Sequence, residues 1–464
     1  MTPFFRWLLF AFACVLLGVV IAILCIFLND SASNRIKSNV AGIANSEIAT
    51  ESQPSKSNVS EQSVLPIPKY KVPIFIQEPP WNGYDGYHFM QSSSLAMSSD
   101  GNTLAIGASA ARCVYIQSKH ADGNWVHETV LIGEAGSGPW TGGIPDTRFG
   151  HAVSLSANGN TLACGAFNMS KVWIYTRADS LWTTQAELSG PAGSGYGVST
   201  ALSYDGNTLA IGSNNIYQPG IQPHVYIFTR NGVEWTLQQI LDPTNSIGYS
   251  NFGYSIGLSG DGYTVVIGGY TDSNQKGAIW ISQQTSKTWS TPLKLAVDIS
   301  PSTNQGRRVA ISGDGSTIAF TEINHDLSLY GQDFTKKWMA TGRTYVYIHT
   351  GPNEWRLSSN LTPYVASAGA SVCLNHSGDR LFIGDTFTGC VYIYSRTGKN
   401  YYEMVSTITF EHPTTDQRTF GYTVAVDSWG ETLVVGAPFE LGPENVFGNG
   451  YGPPLVGATF VYET

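Results

Sequence analysis

The stretch STALSYDGNTLAIGS, Ser199 to Ser213, sets two small, apolar runs on either side of an Asp-Gly pair. Gly adopts positive φ without steric cost and Asp or Asn does so more readily than most residues, so Asp205-Gly206 reads as a hairpin turn between two strands. The unit returns as SLAMSSDGNTLAIGAS (Ser94 to Ser109), AVSLSANGNTLACGAF (Ala152 to Phe167), SIGLSGDGYTVVIGGY (Ser255 to Tyr270) and RVAISGDGSTIAFTE (Arg308 to Glu322). It returns again as SVCLNHSGDRLFIGDTF (Ser371 to Phe387) and TVAVDSWGETLVVGAPF (Thr423 to Phe439). The turn glycines are Gly101, Gly159, Gly206, Gly262, Gly315, Gly378 and Gly430, spaced 47 to 63 residues apart. That is the length of a four-stranded blade with its loops. Seven copies predict an all-β, seven-bladed β-propeller of antiparallel four-stranded blades.

The other two strands of a blade are also legible. A third strand alternates β-branched and aromatic residues, as in VWIYTR from Val172, VYIFTR from Val225 and VYIYSR from Val391. A fourth opens on an aromatic, and Trp125, Trp182, Trp235, Trp289 and Trp355 recur there, which marks them as packing residues rather than a binding box. The seventh unit ends at Thr464 after its third strand. The strand-like run YKVPIFIQE (Tyr70 to Glu78) has no blade of its own, so it is expected to complete the last one and remove an open sheet edge.

Ahead of the repeats lie two segments of different character. Residues 7–28, WLLFAFACVLLGVVIAILCIFL, carry no charge, and at about 1.5 Å per helical residue they reach about 33 Å, enough for a hydrocarbon core. They read as an N-terminal transmembrane signal anchor, longer than the apolar region of a cleaved signal peptide. Residues 29–69 are rich in Ser and Asn and poor in large apolar side chains, which reads as a flexible stalk. The expected organisation is anchor (1–28), stalk (29–69) and propeller (70–464), a single-pass type II protein whose propeller is extracellular, lumenal or on a virion surface. Sequons at Asn29, Asn58, Asn168, Asn360 and Asn375 permit glycosylation there.

Several units place Phe-Gly ahead of the first strand (Phe149-Gly150, Phe252-Gly253, Phe420-Gly421), and several close the second on Gly-Ala (Gly107-Ala108, Gly165-Ala166, Gly436-Ala437). This resembles the FG-GAP repeat of the integrin α-like seven-bladed propellers. The resemblance implies that fold over about residues 70–464 and is unspecific for function; a role in adhesion or attachment is expected from the anchor, the stalk and the aromatic loops instead. It departs from the family at the turns. Calcium loops of the form DxDxDG carry oxygens at alternate positions, whereas the residues two and four before Asp205 are Ser203 and Ala201. No metal is expected at the turns and no cofactor is implied.

Charge and cysteine usage narrow the function classes. A net charge of −9 without a basic run argues against a nucleic-acid partner. Cys113, Cys164, Cys373 and Cys390 lack CxxC pairing and are expected to pack as buried thiols. His151, His325, His349 and His376 fall in different units without metal-ligand spacing. Four connections on the face opposite the turns are long: 133–148, 213–224, 321–343 and 438–456. Long connections in a compact repeat carry function, and exposed aromatics anchor binding surfaces. The candidate ligand-binding residues are therefore Trp140, Tyr217, Tyr330, Trp338, Phe439 and Tyr451, with Phe447 beside them, and the expected ligand is a protein or glycan. A carbohydrate-active enzyme is the alternative, with Asp146, Glu322, Asp326, Asp333, Glu440 and Glu444 as carboxylates that nothing in the sequence pairs; a structural envelope scaffold is a third. Oligomeric state is left open.

Overall fold

The computed structural model describes residues 69–71, 73–76, 91–133, 147–214, 222–296, 303–323, 342–351, 354–361, 370–386, 388–398, 401–409, 419–438 and 457–464. They form seven antiparallel sheets, one per repeat, covering 91–132, 152–189, 199–241, 255–295, 309–361, 371–409 and 423–463. These are numbered here as blades 1 to 7. Six take all their strands from one unit in sequence order. Blade 7 is completed by Ile74–Ile76, which pairs antiparallel with Thr459–Val461. In blade 4 the fourth strand is broken into Thr288–Trp289 and Leu293–Leu295, with Pro292, which lacks an N–H to donate, at the break.

Second strands such as Thr103–Ala108, Thr161–Ala166 and Thr432–Ala437 are buried at every position, because each faces a neighbouring blade on both sides. The apolar core lies between blades. Ala105, Val114, Ile116 and Leu131 of blade 1 pack with Leu162, Cys164, Trp173 and Trp182 of blade 2. Burying a Val, Leu or Ile side chain stabilises by about 1.5–3 kcal/mol, so each interface multiplies that gain. Between third and fourth strands a β-bulge recurs at Ile116/Gln117, Ile174/Tyr175, Ile227/Phe228, Val346/Tyr347 and Ile393/Tyr394. A bulge adds local twist, and here it falls at one position of the repeat.

The Phe-Gly and Gly-Ala dipeptides turn out to be two sides of one contact. Phe149, Phe252 and Phe420 are fully buried and meet Trp173, Trp280 and Phe460 edge-on at 5.3–5.4 Å. The following glycine presents its carbonyl to the glycine that closes the second strand of the preceding blade. A Cβ on Gly212 would lie 2.0 Å from the Gly253 oxygen, and one on Gly165 would lie 2.1 Å from that of Gly197. First-strand serines donate to the same carbonyls, Ser94 to Gly150 at 2.8 Å and Ser199 to Gly253 at 2.7 Å. The ring closes between blades 7 and 1, where Thr423 donates to the Ser92 carbonyl at 2.9 Å.

A second clamp joins blades near their outer edge, and Trp125, Trp182, Trp235 and Trp289 belong to it. Trp182 Nε1 donates to Glu128 of the preceding blade at 2.9 Å, Trp235 Nε1 to Gln185 at 2.9 Å and Trp289 Nε1 to Gln238 at 3.1 Å. Arg177 lies over the Trp182 ring and pairs with the same Glu128 at 2.8 Å, and Lys119 and Trp125 reach Glu463 of blade 7. Gly212→Ala should destabilise the fold by about 3 kcal/mol, the upper end for overpacking, because carbonyl and Cβ cannot share the space. The same substitution at Gly232, which has open space around it but positive φ, should cost about 1 kcal/mol. Urea unfolding of the two variants checks the difference.

Candidate functional site

The seven turns form a circle around the propeller axis. Ser99 donates its N–H to the Ala157 carbonyl, Ala157 to Tyr204, Tyr204 to Gly260, Gly260 to Gly313, Asp314 to His376, His376 to Ser428 and Ser428 back to Ser99, at 2.8–3.0 Å. Within each turn the polar atoms are consumed locally. In blade 3, Ser203 Oγ donates to Asp205 Oδ1 at 2.5 Å, the Asn207 N–H and amide reach the two Asp205 oxygens at 2.9 Å, and Thr208 N–H donates to Ser203 Oγ at 2.9 Å. Burial alone would raise the Asp205 carboxyl, but these hydrogen bonds hold it below its ordinary value. The carboxylate is a turn fastener. Blade 7 departs from the others, with Trp429 where five turns carry Asp or Asn, and its ring is 68% exposed.

Tyr204 and His376 lie side by side within this circle, ring centroids 5.4 Å apart, with the phenol oxygen 3.4 Å from His376 Nδ1. Gly313 fits beneath them because it has no side chain: a Cβ there would be 2.1 Å from the Tyr204 hydroxyl. Met97, Leu155, Leu374 and Val426 line a cavity of about 90 Å³ with these two rings.

The axis carries a different set of residues at the entry to the first strands. His151, Tyr254, Arg307 and Tyr422 follow the equivalent glycines Gly150, Gly253, Gly306 and Gly421 in blades 2, 4, 5 and 7. Residues from blades so far apart meet only around the axis. Arg308 lies over the Tyr254 ring and Arg307 over the Tyr270 ring, each at 5.6 Å, and the two tyrosine rings meet edge-on at 4.7 Å. Arg308 is deep in the protein, surrounded by Tyr254, Tyr422 and Tyr270, yet part of its surface stays open to solvent. His151 packs against Phe167 at 4.7 Å; burial, then the charges of Arg308 and Arg148, lower its pKa to about 4. Histidines and arginines from separate units thus do come together, although no sequence spacing announces it.

On the side of the long connections, Ser213 Oγ both donates to the His224 carbonyl and accepts the His224 N–H at 2.9 Å, pinching the base of the 213–224 connection. Glu322 is 3% exposed, accepts the Tyr345 hydroxyl at 2.8 Å and faces Arg343. Trp140, Tyr217, Tyr330, Trp338, Phe439, Phe447 and Tyr451 lie outside the described residues, as do Asn29, Asn58, the remaining loop carboxylates and residues 7–28. Among the described residues no helix is long and apolar enough to cross a membrane, and no group of three metal-ligating side chains occurs. Asn168 and Asn360 are exposed, whereas Asn375 is 4% exposed. Its amide donates to Asp379 at 2.7 Å and its carbonyl accepts the Arg380 N–H at 3.0 Å, in the turn place that serine holds elsewhere. Burial pushes the thiols of Cys164 and Cys373 well above the ordinary value, so neither is a reactive thiolate.

With this geometry the chain is a seven-bladed β-propeller protein. No protein-family model and no curated protein matches it. Solved structures do. Kuenenia stuttgartiensis hydrazine synthase is similar at 13% identity with a TM-score of 0.54, covering 77% of this chain and 95% of its own. The Myceliophteria thermophila Cps50 (Swd1) β-propeller domain is similar at 12% identity with a TM-score of 0.52, covering 84% and 99%. At these identities the likeness is one of fold.

A His held neutral by burial contributes stability above its unfolded pKa, and that contribution is lost as pH falls from about 6.5 towards 4. The stability of the native chain should therefore drop by up to about 3 kcal/mol more than that of His151→Gln between pH 7 and pH 4. Chemical denaturation at several pH values reads this directly; parallel curves for the two proteins would refute it.

Proposed function

We propose that this protein is a membrane-anchored surface or virion ectodomain that binds a protein or glycan through the long-connection face of an FG-GAP-like propeller. In this reading residues 7–28 anchor it, residues 29–69 space the head from the membrane, and the propeller stands on the exterior or lumenal side. One observation carries the choice of face. The seven turns on the other side satisfy one another in a closed circle, and Tyr204 and His376 occupy its middle. A face built from near-identical, self-satisfied turns offers little that is specific, whereas the four long connections do not repeat. Specificity is placed where a scaffold leaves its loops free to vary.

Replacing Trp338, Tyr330 and Tyr451 together with Ala in the full chain should weaken binding to target cells or to a glycan array by tenfold or more, about the loss expected of interface hot spots. The thermal midpoint should stay within about 2 °C. Undiminished binding by a folded triple variant would exclude this face.

A further inference from the structure

Five cations of this propeller face an acid. Lys119 pairs with Glu463, Lys171 with Glu187, Arg177 with Glu128, Lys294 with Asp272 and Arg343 with Glu322. Arg307 and Arg308 do not: among the described residues neither forms an ion pair, and what surrounds them is phenol and neutral imidazole. This occurs in a chain with 25 basic and 34 acidic residues, where carboxylates are plentiful. Holding the Arg308 guanidinium deep in the protein beside a second arginine and without a counter-charge costs folding free energy, so the arrangement asks for an anion from outside.

The position of Arg308 in the repeat shows which of its donors are spent. It stands where Ser199, Ser255, Ser371 and Thr423 begin their blades. Ser199 and Ser371 donate to the next blade's glycine carbonyl, and Arg308 does the equivalent work through Nε, which donates to the Ala370 carbonyl at 3.2 Å. One Nη1 donor goes to the Arg307 carbonyl at 3.2 Å. The Tyr254 hydroxyl engages a third donor, and an arginine carries five N–H donors in a planar fork, so two remain. A guanidinium edge flanked by a second arginine and by tyrosine hydroxyls matches a planar or tetrahedral oxyanion, which accepts two parallel N–H bonds.

We infer that Arg307 and Arg308, with Tyr254, Tyr270 and Tyr422, form an oxyanion-binding site on the propeller axis, which takes the carboxylate or sulfate of an acidic sugar. The sugar identity rests on the reading of this propeller as a glycan-binding head; the oxyanion site does not. The site differs from the loop aromatics in that Tyr254, Arg307, Arg308 and Tyr422 stand at strand-entry positions, with Tyr270 directly after a second strand.

The test titrates the full chain in detergent at pH 7 and constant ionic strength with sodium glucuronate, sodium sulfate or glucose, followed by calorimetry and thermal shift. Saturable binding of glucuronate or sulfate, with none of glucose, is expected, and Arg308→Ala should weaken it about tenfold or more. Arg307→Ala keeps the Arg308–Ala370 bond and should also weaken binding, which preserves the test if Arg308→Ala fails to fold. Binding of glucuronate alone assigns a carboxylate and of sulfate alone a sulfo group. Absence of binding by either anion, or equal binding by wild type and Arg307→Ala, overturns the site. Anion binding that survives in the Trp338, Tyr330, Tyr451 triple variant, with cell or array binding also unchanged, overturns the loop-face reading and leaves the site standing.

Discussion

Neighbouring blades meet where a glycine carbonyl lies against a glycine Cα with no room for a methyl group between them. The contact repeats at Gly150 on Gly107, Gly197 on Gly165, Gly253 on Gly212, Gly306 on Gly268 and Gly421 on Gly384. It sets how near the inner strands approach, and the rest follows from that distance. Buried Phe149, Phe252 and Phe420 stand beside three of these glycines, and the first-strand serine reaches the next blade's carbonyl only at this spacing. The turns come close enough to exchange backbone hydrogen bonds around the axis for the same reason. A ring assembled from one contact repeated this often leaves little freedom in its diameter, because an error at one interface would have to be taken up by the others.

The blade count, the strand order and the closure by the N-terminal strand were legible because they depend on local patterns that recur. Asp-Gly turns, near-continuous apolar second strands and a strand-like run at Tyr70 to Glu78 without a blade of its own are all one-dimensional facts. The lateral clamps were half legible. The Trp residues were placed correctly as packing elements, but that Trp182 reports to Glu128, and Trp235 to Gln185, depends on which strand of the preceding blade stands opposite. The axial cluster was not seen at all, since His151 and Arg308 belong to units separated by two others. The usable signal was the position after the strand-entry glycine, where His, Tyr, Arg and Tyr replace one another. Asn375 shows a local pattern set against its surroundings. A three-residue sequon is a local pattern, whereas burial of that amide follows from a turn it helps to fasten.

Charge is distributed with economy in this molecule. Ion pairs sit on seams between blades or between adjacent strands, partly shielded from solvent, where a charge-assisted hydrogen bond is worth more than on an open surface. Serine hydroxyls and Asp carboxylates at the turns are turned inward on the backbone. The interior of the axis is graded: Tyr204 with His376 among small turn residues at one level, arginines against tyrosines at another. A propeller that repeats itself so faithfully on its blades departs from its own pattern mainly where the blades converge.

The pairing of Ile74–Ile76 with Thr459–Val461 has a consequence for how the chain is made. Blade 7 is complete only once Ala458–Glu463 has been made and has paired with the early strand, so six finished blades wait as an open arc with two unmatched ends. Until then the first-strand edge of blade 1 and the early strand both lack partners, and contacts of the longest sequence separation are the last to form, which slows folding. Biogenesis of this protein is thus governed by a single late event, and a folding factor that shields edges during synthesis would act on the gap between its first blade and its last.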